Sequence, residues 1–169
     1  KLIDLDDQTD KILGKLESPE RVGPWTTKGM VVGDIQSGKT SNYIGLINKA
    51  VDYGYKLIIV LAGHTNALRA QTQYRIDEGF IGADSQTDRI LKTKSSNGSV
   101  KNFGVHYYRH GKMVKATTFT NSDESGDIKR ADIRKIPNTY NFSNPTIFVI
   151  KKFSSSLDAL QKILEVATQ

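Results

Sequence analysis

Lys28-Gly29-Met30-Val31-Val32-Gly33-Asp34-Ile35-Gln36-Ser37-Gly38-Lys39-Thr40 passes from a brief apolar run into glycine, four residues, then Gly-Lys-Thr. The second part fits the pattern of a phosphate-binding P-loop without a gap. Four fixed positions of this kind meet by chance in roughly one chain of this length in two hundred. The flanks sharpen the match. Lys28–Val32 reads as a buried strand ending at Gly33, and Thr40 to Tyr53 places Tyr43, Ile44, Ile47, Ala50 and Val51 on one helical stripe, with Gly54 as its stop. Strand, glycine turn and helix in that order let successive N–H groups wrap a phosphate at the positive end of a helix dipole.

The roles follow from the side chains. Gly33 and Gly38 let the backbone curl close to the ligand, Asp34, Ile35, Gln36 and Ser37 contribute mainly N–H groups, Lys39 brings a point charge to the β- and γ-phosphates, and Thr40 offers its hydroxyl to Mg²⁺. ATP with Mg²⁺ is the expected cofactor. Against this stands an ordinary glycine-containing turn between strand and helix.

Outward from the loop, Ile12, Leu13 and Leu16 predict a short leading helix over Asp10–Leu16, ended by Ser18-Pro19, and a linker to residue 27. Lys56-Leu57-Ile58-Ile59-Val60-Leu61-Ala62 predicts a parallel strand covered on both faces. Asn66 is the expected cap of a helix over Ala67 to about Glu78. Residues 83–99 are polar, strand-like stretches occur at Val105–Tyr108 and Lys112–Thr120, and Asn121–Gly126 reads as a loop. Thr146–Ile150 predicts a second buried strand. A helix from Ser156 to about Ala167 follows, with Leu157, Leu160, Ile163, Leu164 and Ala167 inward and Ser155 or Ser156 as cap. The alternation predicts an α/β fold, a mostly parallel sheet between helices in a three-layer sandwich, with residues 1–27 as leading helix and linker and residues 28–169 as the lobe.

Composition narrows the partners. The chain has 169 residues, no cysteine and a net charge of +6. Residues 1–84 hold ten Lys/Arg against eleven Asp/Glu, and residues 85–169 fourteen against seven, so the basic excess lies in the second half. That half is a candidate surface for nucleic-acid phosphates, or simply a solvated lysine-rich face. No apolar run is long enough to span a membrane, the acidic amino terminus lacks the order of an export signal, and a cytoplasmic protein with no membrane partner is expected. His64, His106 and His110 lack close acidic partners in sequence, which disfavours a metal centre.

Hydrolysis needs an acid at a strand end to hold Mg²⁺ and orient water. Asp6-Asp7, Asp77-Glu78 and Asp123-Glu124 are the candidates, and none follows a buried strand. The chain closes on a helix where the next strand should begin, so the acidic motif is expected beyond Gln169 and hydrolysis by this fragment itself is not expected. Trp25 is a core residue or an adenine-stacking one, and Tyr107-Tyr108-Arg109-His110 a buried strand or a base-stacking group.

Val31–Tyr43, Lys49–Gly63 and Leu68–Gln73 together resemble the start of the endonucleases defined by the Z-one domain. The likeness is close over Leu13–Gly82 and looser at Thr118–Asp127 and Val149–Leu160. That family is similar to superfamily-two helicases and is associated with bacterial restriction and phage-defence loci. The resemblance implies a P-loop NTPase of RecA-like fold, here an incomplete first motor lobe. It further implies ATP-driven work on DNA, a nuclease activity in the whole protein, and other defence-system subunits as partners. Lys39 and Thr40 fall on the nucleotide motif. Arg69, Gln71, Thr72 and Gln73, in the segment His64–Gln73, and Lys151 and Lys152 at a strand end, fall where such motors meet the nucleic-acid backbone. A small-molecule P-loop kinase, which would need clustered lid arginines, and a non-catalytic nucleotide-sensing module are the alternative readings.

Overall fold

A computed structural model describes residues 2–33, 38–87, 93–94, 100–101, 116–135 and 142–167. The chain forms two compact units, Lys1–Tyr55 and Lys56–Gln169.

In the first unit α1 (Leu2–Leu13) packs against α2 (Lys39–Tyr53). The leading helix starts well before Asp10 because Thr9 occupies its inward stripe, where a hydroxyl disguises the apolar period. Thr9 is 1% exposed, and its Oγ1 satisfies itself by donating to the carbonyls of Leu5 and Asp6. Lys49 of α2 bridges Asp6 and Asp10 of α1 at 2.7 and 2.5 Å, and Asn42 donates to Gln8 at 3.0 Å, so α1 belongs with the loop helix. Gly54 ends α2 with φ 119°, a left-handed conformation that returns its N–H to the carbonyls of Ala50 and Val51. Trp25 meets Tyr55 edge-on at 6.2 Å, and the Tyr55 hydroxyl donates to the Glu17 carbonyl at 2.5 Å. Trp25 thus has a packing role within this unit.

Lys28–Val32 forms no strand. Met30 and Val32 are 86% and 81% exposed, and no described residue pairs with this stretch. Apolar, β-branched residues favour a strand only when a neighbouring strand supplies the hydrogen bonds, and the sequence of the stretch itself says nothing about that neighbour.

The second unit is α/β. β1 (Leu57–Ala62), β4 (Thr117–Thr118) and β5 (Thr146–Lys151) form a parallel sheet in the order β1-β5-β4. Leu57 stands opposite Thr146 and Ala62 opposite Lys151, while Thr117 also pairs with Thr146. β2 (Thr93–Lys94) and β3 (Val100–Lys101) make a separate antiparallel pair. α3 (Asn66–Ile76) runs on into a π-helical turn, Asp77–Ile81, and α4 (Ser154–Ala167) follows β5. Among the described residues the whole chain therefore has four α-helices and one three-stranded parallel sheet, consistent with a Rossmann-like layout.

β5 is the central strand, and Ile147, Phe148, Val149 and Ile150 are all fully buried, so both of its faces are covered. On one face Phe148 and Ile150 meet Ala159, Leu160 and Ile163 of α4, with Ile128 beneath and Phe119 stacked on Phe148 at 5.4 Å. β1 departs from the expectation of full cover. Among the described residues it is an edge strand, and Ile59 and Leu61, which share the α4 side with their partners Phe148 and Ile150, are exposed. Leu57, on the same side, packs against the α4 core, so cover is lost toward the carboxyl end of β1.

Helix starts also moved. Thr65, not Asn66, caps α3 by accepting from the Leu68 N–H at 3.2 Å. α4 begins two residues earlier than its apolar stripe suggested, and the Phe153 carbonyl, in place of Ser155 or Ser156, receives the N–H groups of Ser156 and Leu157. Of residues 116–120, the described part of the stretch Lys112–Thr120, Thr117–Thr118 is strand; residues 105–115, which hold the other strand-like stretch and His106, Tyr107, Tyr108, Arg109 and His110, lie outside the described residues.

Candidate functional site

Two places have the chemistry to hold phosphate, one in each unit. In the first, Gly38 sits at the head of α2 with φ 84° and ψ 20°, a left-handed turn that only glycine enters at no steric cost. Gly38 has no side chain to cap the helix, so the N–H groups of the first turn face outward at the positive end of a fifteen-residue helix. Lys39 Nζ reaches back and donates to the Gly33 carbonyl, tying the two ends of the glycine loop together. Gly33, Gly38, Lys39 and Thr40 are all exposed. Asp34, Ile35, Gln36 and Ser37, the inner loop residues, lie outside the described residues.

In each pair of acids weighed as Mg²⁺ partners, one carboxylate has another engagement. Asp6 is paired with Lys49. Asp123 closes its own turn by accepting from the N–H and hydroxyl of Ser125, contacts that hold its carboxyl below the usual range. Asp77 is 1% exposed and accepts from Gln73 Nε2 at 2.9 Å and from the N–H and hydroxyl of Ser85 at 3.1 and 2.6 Å. Among the described residues no three His, Cys, Asp or Glu side chains converge on one metal position.

In the second unit the residues expected to grip nucleic acid separate into two groups. Arg69 and Gln73 are fully buried. The Arg69 guanidinium donates to main-chain carbonyls through Nη1 on Val149 at 3.4 Å and through Nη2 on Asn121 at 2.8 Å and also on Asp123, while its buried Nε has no hydrogen-bond partner among the described residues. Gln73 relays a chain of hydrogen bonds. The Val149 N–H donates to Thr120 Oγ1, that hydroxyl donates to Gln73 Oε1 at 2.7 Å, and Gln73 Nε2 donates to Asp77. Both side chains organise the interior of the fold and are shielded from solvent. Thr72 donates its hydroxyl to the Leu68 carbonyl at 2.8 Å. Gln71 lines a cavity of about 500 Å³ whose walls include Asp77, Asp84 and Glu124, an acidic setting that repels a phosphodiester. Sequence spacing put all four on one helix but could not say which side faced the sheet.

Asp77 gives a pH signature. Burial pushes its carboxyl above the ordinary value of 3.8, against the opposing hydrogen bonds from Gln73 and Ser85. The folded state then binds the proton more tightly than the unfolded state, so the contribution of Asp77 to stability declines as pH rises from 3.8 through the raised value. Urea unfolding of wild type and Asp77→Asn across that range should show the wild type losing stability relative to the variant with rising pH. A relative gain would mean that the hydrogen bonds outweigh burial.

Lys151 and Lys152 do stand at the carboxyl end of β5, the edge where ligands dock in parallel α/β sheets. Lys152 is exposed. Lys151 is half-buried, with Nζ 3.9 Å from Asp127 Oδ2 and 5.9 Å from the centre of the Phe153 ring. Asp127, which sequence reading passed over, is the organiser here. Its carboxylate accepts from the N–H groups of Ile128 and Lys151 and, at 2.7 Å, from the Ser156 hydroxyl, clamping the end of β5 to the start of α4. No local pattern marks it, since its partners lie 24 and 29 residues away. Phe153 was overlooked despite a visible signal, an aromatic directly after two lysines at a strand end.

No helix among the described residues is long and apolar enough to cross a membrane. In comparison with known proteins, no family model, curated sequence or solved structure matches this chain.

Proposed function

We propose that Gly33–Thr40 binds ATP with Mg²⁺, and that the chain is the nucleotide-binding part of an ATP-dependent, helicase-like enzyme acting on DNA. The observation that carries the reading is the left-handed Gly38 at the head of α2, with Lys39 folded back onto Gly33. A glycine at that point removes the side chain that would otherwise cap the helix. The lysine links the loop ends in a way that exchange for phosphate oxygens would match in charge and exceed in strength. Thr40, exposed one residue further on, is the Mg²⁺ ligand of the proposal.

DNA as the substrate, the RecA-like P-loop fold, the endonuclease role and membership of a restriction or phage-defence system with other subunits rest on the resemblance to the Z-one domain family. The basic excess of residues 85–169 and the lysine pair at the β5 edge support the DNA part.

Calorimetric titration of ATP with and without Mg²⁺ tests the core of the proposal. Mg²⁺ is expected to tighten ATP binding about tenfold, and Thr40→Val to erase most of that gain while leaving metal-free binding unchanged. ATP binding that is undetectable in both conditions would remove the proposal.

A further inference from the structure

Phe153 is an aromatic ring where the fold has no use for one. It lies in the two-residue connection between a buried strand and α4, and 56% of it is exposed. The connection is tight: the Phe153 N–H donates to the Lys151 carbonyl at 2.8 Å, and the Phe153 carbonyl accepts the N–H groups of Ser156 and Leu157, each at 3.1 Å. Those bonds are all main-chain, so the turn and the helix start are specified without the ring. What fixes the turn is Asp127, through Lys151 N–H on one side and Ser156 on the other.

The surroundings define what the ring would meet. Leu157, four residues on and thus one helical turn away, is also exposed, which extends the apolar surface beside the ring. Lys152 precedes it and is exposed to solvent. Lys151 has its ammonium 5.9 Å from the ring centre. A planar apolar ring on a turn fixed through its main chain, beside cationic groups, complements a flat aromatic base joined to a phosphate, and stacking of this kind tolerates any base.

We propose that Phe153 is a stacking platform for a base of single-stranded DNA, with Lys152 on the adjacent phosphate. This rests on the reading of the chain as DNA-acting and names the form of DNA and the residue that meets it. Because Asp127 holds the turn before any ligand arrives, little main-chain ordering cost attaches to binding. Base stacking is independent of salt, whereas phosphate neutralisation is not, so the two residues leave separate signatures.

The test is anisotropy of a labelled oligothymidylate of about twelve nucleotides over a range of salt concentrations. Phe153→Ala and Phe153→Leu should each weaken binding about tenfold with the salt slope unchanged, and Phe153→Trp should restore it. Lys152→Gln should lower the slope by about 0.7. Wild-type thermal melting is expected in all four variants, since the ring is outside the core. Binding by wild type that Phe153→Ala leaves intact would overturn the stacking role while sparing the DNA reading. No binding by wild type at all would sink the DNA reading and the platform with it. Equal competition by thymidine monophosphate would assign the ring to a free nucleotide and overturn the strand. A wild-type dimer that Phe153→Ala converts to monomer would show a protein contact in its place.

Discussion

Replacing Lys39 with alanine is expected to lower the affinity for ATP about a hundredfold or more while leaving the fold in place. The size of the effect follows from the charge. A hydrogen bond from an ammonium to an anionic phosphate is worth about 1.5–3 kcal/mol net, and the proposed contact is made to two phosphates, so a loss near 3 kcal/mol corresponds to about two decades in Kd. The fold is spared for local reasons. Lys39 is exposed in the first turn of α2, alanine is the strongest helix former, and the bond to the Gly33 carbonyl that would be surrendered lies at the surface. Calorimetry and thermal melting of the same preparation check both halves. Unchanged ATP affinity in Lys39→Ala would remove the P-loop reading, since no other residue of the motif brings a positive charge to the phosphates.

The second large effect is on stability. Arg69→Ala is expected to destabilise the Lys56–Gln169 unit by about 3–5 kcal/mol. Three carbonyls from distant parts of the chain, those of Asn121, Asp123 and Val149, converge on one fully buried guanidinium. Two of them receive direct donors from Nη2, and hydrogen bonds from a charged donor are the stronger kind. Removing the side chain leaves those acceptors to find water and opens a cavity under the strand that carries the core. Burial lowers the pKa of Arg69 while Asp127, Asp123 and Asp77 act to raise it, so the cation is maintained by the surrounding carboxylates as well as by the carbonyls. Arg69→Met, which keeps most of the volume, separates the two causes: a loss close to that of alanine assigns the effect to hydrogen bonding, and a much smaller loss assigns it to packing. Chemical unfolding monitored by circular dichroism provides the measurement. A change within about 1 kcal/mol for Arg69→Ala would mean that Asn121 and Asp123 are served equally well by solvent.

That result would also explain the loop that Arg69 holds. Asn121–Asp127 turns back on itself through Asn121 N–H to the Gly126 carbonyl and Gly126 N–H to the Asp123 carbonyl. A Cβ at Gly126 would come within 1.9 Å of Asn121 Oδ1 and 2.6 Å of the Asn121 carbonyl, so the turn closes only over glycine. From this loop Asp127 enters the interior and sets the β5–α4 turn that presents Lys152 and Phe153. Arg69, read from sequence as a ligand contact, is in the structure a support for the loop leading to the residues now proposed for that contact.

Sequence by itself determined the elements whose signal is local. The β-branched runs at Leu57–Ala62 and Thr146–Lys151, the amphipathic stripe of α4 and the glycine stop of α2 are all legible because backbone preference and apolar periodicity act over a few residues. Tertiary structure decided everything that depends on a partner far along the chain. Among the described residues it set the order β1-β5-β4 with β1 at an edge and Ile59 and Leu61 exposed, and it left Lys28–Val32 outside any strand. It turned Arg69 and Gln73 inward while their helix neighbours Gln71 and Thr72 stayed at the surface, and drew Asp127 across to Lys151 and Ser156. A strand needs hydrogen bonds from another strand, and a polar side chain can be buried only where others satisfy it. Neither condition is written in the residues beside it.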